Sequence, residues 1–310
     1  MKPALHILTG YTAVGKTSLS LGWAKKNNAE ILSCDSLLFY RGMNIGTAKP
    51  AAKEMAEIPH HMIDIRNVNE QYSISEYLKK VREIVAAIQA RGRQVLVVGG
   101  SGFYLNAFFA PVVDELELKS EALKRIDEQF ENQPLEDSLA ELSSLNPDGL
   151  GGLDTANPRR VLKAWLRCVA TGKPILQLME EFAAQAGAFD GYDKYLLVLE
   201  RPREQLERRV RLRVDQMIEA GLIEEVKKLL ELGILENPSA ASAIGYRETI
   251  ACLKGDAGIE NLADDIAQNT RKLLKKQRTW FKKFIPQEAI LDVSSLDLLP
   301  DDWCFVPAKK

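Results

Sequence analysis

Gly10-Tyr11-Thr12-Ala13-Val14-Gly15-Lys16-Thr17 matches the pattern G-x-x-x-x-G-K-[ST], and it joins an apolar run, Ala4 to Leu8, to a stretch of helix formers, Lys16 to Lys26. That setting gives the match its weight. A continuous apolar run reads as a strand buried on both faces of a parallel sheet. Between such a strand and a helix, glycines let backbone N–H groups converge on phosphate oxygens, and the helix N-terminus adds positive potential. Gly10, Thr12, Ala13, Gly15, Lys16 and Thr17 then form a cradle in which Lys16 neutralises charge and the Thr17 hydroxyl can ligate Mg2+. The pattern specifies a polyphosphate and leaves open which one.

Working outward, Ile31 to Cys34 is a second short apolar run, ending at Asp35, and Gln94 to Val98 a third, ending at Gly99-Gly100. Tyr195 to Leu199 reads as a returning strand, and Ser73 to Ala90 carries helical periodicity through Ile74, Tyr77, Leu78, Val81, Ile84, Val85 and Ile88. Strands alternating with helices predict an α/β fold: a P-loop NTPase-like parallel sheet flanked by helices, with ligands at the carboxyl ends of the strands. Asp35 then stands at the same sheet edge as the phosphate loop. It is a candidate base there, although a helix cap or a carboxylate near Mg2+ reads equally well from the residues alone. His6 falls in a core strand, and His60-His61 with Asp64 lacks metal-site spacing, which leaves a loop beside the substrate as the expectation.

The chain of 310 residues carries 41 Lys and Arg against 43 Asp and Glu, a net charge of -2 that by itself argues against a polyanionic partner. The distribution reverses that. Asp114 to Asp148 is strongly acidic and predicts a helical insertion, whereas Arg201 to Arg213 and Arg271 to Lys283 are basic. A helix with Arg271, Lys275, Arg278 and Lys282 on one face and no compensating acid repels itself unless a polyanion binds, although a solvated surface helix is the plain alternative. Cys34, Cys168, Cys252 and Cys304 form no C-x-x-C pair, so neither a zinc ribbon nor a disulfide framework is expected, and a reducing cytoplasm fits. No apolar run reaches membrane-spanning length. Residues 202 to 284 read as helical, interrupted near Gly233 to Pro238 and Gly255 to Gly258. The expected organisation is a core from 1–112, a helical insertion from 113–190, and 191–310 as the rest of the core with basic C-terminal helices.

Taken in order, the motifs resemble the tRNA dimethylallyltransferase (tRNA isopentenyltransferase) family. The resemblance spans Leu5 to Phe284 and rests on the phosphate loop, Asp35-Ser36 with Tyr40, Arg41 to Pro50, Pro59 to Asp64 and the Gly99 to Tyr104 turn. It continues through Asn157 to Ala164, Thr171 to Pro174, Arg213 to Met217, Ile244-Gly245-Tyr246-Arg247-Glu248 and Lys276 to Trp280. It implies transfer of a dimethylallyl group from dimethylallyl diphosphate to N6 of adenosine 37 in tRNA, with the base extruded from the anticodon loop. It also implies Asp35 as general base, with Lys16, Arg213 and Thr17 with Mg2+ on the departing diphosphate. Asp35, Ser36, Thr47, Lys49, Arg160, Arg247, Arg271 and Arg278 are its tRNA-contact candidates, and a monomer is the default. Ser101 and Phe103 stand where the family often has Thr and Leu, and Lys163 and Trp165 replace Arg and Leu. The alternatives are a small-molecule kinase on the same loop, a prenyltransferase acting on free adenine nucleotides, and an RNA-binding module without catalysis. The long basic C-terminal helices would be surplus to the first two, and the third leaves Asp35 without a role.

Overall fold

The structure, a computed structural model, describes residues 2–112, 121–296 and 304–308. In chain order its elements begin β1 (Ala4–Gly10), α1 (Lys16–Lys26), β2 (Ala29–Ser33), α2 (Ala52–Glu57), β3 (His60–His61), α3 (Ile74–Ala90), β4 (Gln94–Val98) and α4 (Gly102–Asn106). Helices α5 (Glu121–Asn132), α6 (Leu135–Ser144), α7 (Pro158–Thr171) and α8 (Ile175–Ala183) follow. The chain continues through β5 (Asp193–Glu200), α9 (Arg203–Glu219), α10 (Leu222–Glu231), α11 (Pro238–Ala241), α12 (Tyr246–Lys254), α13 (Leu262–Phe284), β6 (Ile290–Asp292) and β7 (Val306–Pro307).

The sheet runs β3-β2-β4-β1-β5-β6, parallel throughout, with β7 antiparallel on β5. Its central strands are apolar because both faces are covered: Leu5, Ile7 and Leu8 on β1, Val95 to Val97 on β4 and Leu196 to Leu199 on β5 are all buried. Gly10, Ser33, Val98 and Glu200 end their strands at one edge, which therefore gathers the phosphate loop, Asp35, Gly99-Gly100 and Arg201. The edge is tightly packed. A Cβ on Gly99 would lie 1.9 Å from the Cys34 carbonyl oxygen, so only glycine lets β4 end there.

The chain divides into two compact units, 2–109 with 188–310 and Ala110–Gly187, so the insertion starts and ends three residues earlier than the expected 113–190. In the second unit, α5 to α8 bury Leu123, Ile126, Leu142, Val161, Trp165 and Ile175. Buried Asn146 joins them by donating to Leu142 O at 2.7 Å and accepting from the Ile175 N–H at 2.6 Å. The most acidic start of the insertion, with Asp114, Glu115 and Glu117, lies outside the described residues.

Two expectations change. The helical stretch after Pro202 also breaks at Gly221, where φ is +97°, a turn that the continuing apolar periodicity conceals. His60-His61 forms edge strand β3 in place of a loop, although His60 does line the cleft that holds the phosphate loop: His61 Nε2 pairs with Glu30 at 2.6 Å, and His60 Nδ1 meets the Ile58 carbonyl at 2.7 Å. His6 does sit on β1, packed against Trp23, Tyr195 and Phe305.

Candidate active site

The phosphate loop leaves β1 at Gly10 and enters α1 at Gly15, whose φ of +108° turns the chain into the helix. N–H groups at the start of α1 have no partner earlier in the helix and face outward for an anion. A loop that turns its N–H groups toward a ligand turns carbonyls the other way, and those carbonyls need donors. Arg201 Nε donates to Val14 O at 2.8 Å and Arg209 Nε to Ala13 O at 2.6 Å. Gln277, from α13, accepts the Thr12 N–H at 3.0 Å and donates to Gly100 O at 3.0 Å. The Thr12 N–H is thus committed to the protein, which leaves Thr12 its side chain for a ligand.

Two cavities meet at this edge. A polar cleft of ≈ 490 Å³ is lined by the loop from Thr12 to Ser18, by Asp35 and Thr47, and by Arg209, Leu212, Arg213 and Gln216 on one side of α9. An adjoining cavity of ≈ 170 Å³ is mainly apolar, walled by Leu37, Val210, Val214, Met217, Ile244, Ile266 and Leu273. Asp35, Arg213, Thr47, Thr12 and Ala13 border both.

Asp35 accepts the Leu37 N–H through Oδ1 at 2.9 Å, a local turn that aims the side chain, and no helix starts there for it to cap. Its Oδ2 has no hydrogen-bond partner among the described residues. The Lys16 side chain is half-buried over its length, while its ammonium is withdrawn from water, donating to Gly10 O at 3.0 Å and Tyr11 O at 2.8 Å. Burial pulls its pKa down to about 8, with Asp35 opposing and Arg213 reinforcing that fall. Burial likewise lowers Arg213, and Asp35 counters it. Arg213 donates to the Thr47 carbonyl at 3.1 Å. One carboxylate and two cations thus feel one another across the junction of the cavities.

Residues 38–284 match the family model for IPP transferase. The chain is 50% identical over 295 residues to the tRNA dimethylallyltransferase of Opitutus terrae, covering 95% of each. The chain belongs to the IPP transferase family. A second family relative, the tRNA dimethylallyltransferase of Alkaliphilus oremlandii, is 36% identical, over 92% of this chain and 90% of its own. Among solved structures, the tRNA isopentenylpyrophosphate transferase of Bacillus halodurans superposes with a TM-score of 0.68 at 32% identity, over 95% of this chain and 91% of that one. A eukaryotic dimethylallyltransferase acting on tRNA gives a TM-score of 0.79 at 26% identity, over 95% and 75%. The family read from the motifs stands, and with it the parallel α/β core.

In this IPP transferase the remaining candidates are dispersed. Ser36 borders neither cavity. Thr47 lines both, its hydroxyl tied to Met43 O at 2.7 Å. The Lys49 side chain is 4% exposed and bonds Tyr40 O at 3.0 Å and Asp64 at 2.5 Å, so this ammonium braces its own loop. Arg247 pairs with Glu248 at 2.7 Å, and Arg160 belongs to the second unit, where it pairs with Asp154 at 3.4 Å. Arg271 and Arg278 border a separate ≈ 70 Å³ groove with Lys275, Arg203, Glu207 and Tyr11. Reading Arg201 to Arg213 as a surface for a polyanion is also corrected in part, because Arg201, Arg209 and Arg213 serve backbone carbonyls. Gln277 had no role in the residue-level reading. Its sequence signals were a polar side chain inside a charge run and its place in the Lys276 to Trp280 segment of the family resemblance.

Proposed function

We propose that this chain transfers a dimethylallyl group from dimethylallyl diphosphate to N6 of adenosine 37 in tRNA and releases diphosphate. The observation that carries the reading is the position of Asp35 between a polar cleft with a phosphate loop and an apolar cavity. The cleft suits a diphosphate, and the apolar wall suits a five-carbon chain and a nucleobase. N6 attacks the allylic carbon, the bond from that carbon to the diphosphate oxygen breaks, and the N6 proton passes to Asp35 through its unpartnered Oδ2. Adenine N6 is a weak nucleophile because its lone pair is delocalised into the ring, so a base acting as the bond forms is worth about 10²- to 10⁴-fold. Lys16, Arg213 and the N–H groups opening α1 stabilise the departing anion.

The residues also fit Mg2+. Thr17 lines the cleft and its hydroxyl has no hydrogen-bond partner among the described residues, nor do those residues hold any group of three His, Cys, Asp or Glu that would cage a metal. Thr17 would hold the ion together with phosphate oxygens and water, as Mg2+ prefers, and the ion would neutralise charge on the leaving group. In nucleotide-hydrolysing relatives of this loop an acid holds Mg2+ alongside the loop hydroxyl. Beside β1, β4 ends here at Gly99-Gly100.

Incubation with dimethylallyl diphosphate and unmodified tRNA bearing A36-A37, followed by nucleoside mass analysis, should yield prenylated adenosine. Asp35→Asn should cut turnover by about 10²-fold or more with tRNA affinity unchanged. Absence of product with the unaltered protein overturns the reading, and parallel losses of turnover and affinity would make Asp35 structural.

A further inference from the structure

Residues 42–50 form neither helix nor strand, yet they supply Thr47 to both cavities. What shapes this segment comes from far along the chain. Glu225, on α10, accepts the N–H groups of Asn44 at 3.0 Å and Ile45 at 2.8 Å through Oε2, and of Gly46 at 3.2 Å through Oε1. Its Oε1 also accepts the Tyr246 hydroxyl at 2.7 Å, from α12. Three successive N–H groups converging on one centre make an anion-binding nest. Here an internal carboxylate fills it.

The clamp is close-packed as well as hydrogen-bonded. Tyr246 is fully buried, and a Cβ on Gly46 would lie 2.6 Å from its ring. Burial, and then Glu225, raise the Tyr246 pKa far above the usual phenol value, so it remains a donor. Neither Glu225 nor Tyr246 borders either of the two cavities at the site. Their influence passes through the next residue, Thr47, whose carbonyl holds Arg213 at 3.1 Å, and Arg213 is one of the two cations that sense Asp35. At the other end of the segment, Lys49 is fixed by Tyr40 O and Asp64. The phosphate loop takes its own support from Arg201, Arg209 and Gln277, and among the described residues it has no hydrogen bond from this segment.

We propose that Glu225, with Tyr246, is a positioning residue for the transfer, holding residues 44–46 so that Thr47 and Arg213 face the reacting groups. This rests on the prenyl-transfer reading above. Glu225→Gln keeps the size of the side chain and removes the charge that makes the four bonds strong. The expected result is a kcat lower by about 10- to 100-fold, the scale of a misplacement near 1 Å, with the dimethylallyl diphosphate KM within about twofold. Glu225→Asp should restore part of the loss, and Tyr246→Phe, which removes one bond of four, should cost less than Glu225→Gln.

Hydrogen exchange on the same proteins supplies a readout that does not need turnover. In Glu225→Gln the amides of 44–46 should exchange faster while those of 12–17 do not change. Faster exchange with kcat unchanged in all three variants overturns the positioning role, as does a fall in inorganic diphosphate affinity equal to the fall in kcat. If the unaltered protein forms no prenylated adenosine, the prenyl-transfer reading fails and the positioning role falls with it, whereas the exchange difference would still report the clamp.

Discussion

Lys16 concentrates the electrostatic problem of the site in one side chain. Its pKa is drawn to about 8 by burial, against Asp35 and with Arg213. A bound diphosphate reverses that balance, because it favours the ammonium and moves the pKa back toward the ordinary lysine range. The sign follows directly. Between about pH 8 and 10, binding must take up a proton, and affinity for diphosphate must fall as pH rises through about 8. In the ligand-free protein the same depressed pKa makes the unfolded state the better proton binder over that range, so stability rises with pH there. Titration calorimetry with inorganic diphosphate at pH 8.5, in buffers of different ionisation enthalpy, should show uptake approaching one proton. Lys16→Met should abolish that uptake, and the same uptake in the variant would place the titrating group elsewhere.

At the scale of elements, the phosphate loop is a turn whose ligand face is local and whose supports are distant. The ligand face could be read from eight consecutive residues because glycine placement and the following helix fix it. Its supports, Arg201, Arg209 and Gln277, come from almost two hundred or more residues later, and in the sequence they look like members of charge runs. Strands follow the same division. β1, β2, β4 and β5 are apolar because they are buried on both faces, whereas β3, β6 and β7 have two or three residues each and carry no such pattern. Lys49 shows a related division: its charge is visible in the sequence, but its Asp64 partner is a matter of folding. Gln277→Ala tests the distant support. It strips hydrogen bonds from the Thr12 N–H and Gly100 O, each worth about 0.5–1.5 kcal/mol, so inorganic diphosphate should bind about 5- to 150-fold more weakly. Unchanged affinity would show that the loop holds its shape unaided.

Across the whole molecule, the net charge of -2 averages over parts with opposite duties. Even the two basic stretches differ. In the first, Arg201 ahead of α9 and Arg209 and Arg213 on it are spent on backbone carbonyls, while Arg211 pairs with Asp215 and Asp264. On α13, Lys275 and Arg278 are exposed, and no acid occurs between Arg271 and Lys283. On α9, Arg203, Arg209 and Arg211 are exposed but already bonded or paired, whereas Lys275 and Arg278 face no acid on their own helix, so the two helices should separate in a salt titration. Lys275→Ala and Arg278→Ala should each weaken tRNA binding and lower the slope of log affinity against log salt by about one, with diphosphate affinity unchanged. Arg209→Ala should do the reverse, loosening the Ala13 carbonyl and weakening diphosphate binding while the salt slope for tRNA stays the same. Equal effects of both helices on the slope would mean that α9 also meets the RNA backbone, and a flat salt response from α13 would return its charge run to ordinary solvated surface.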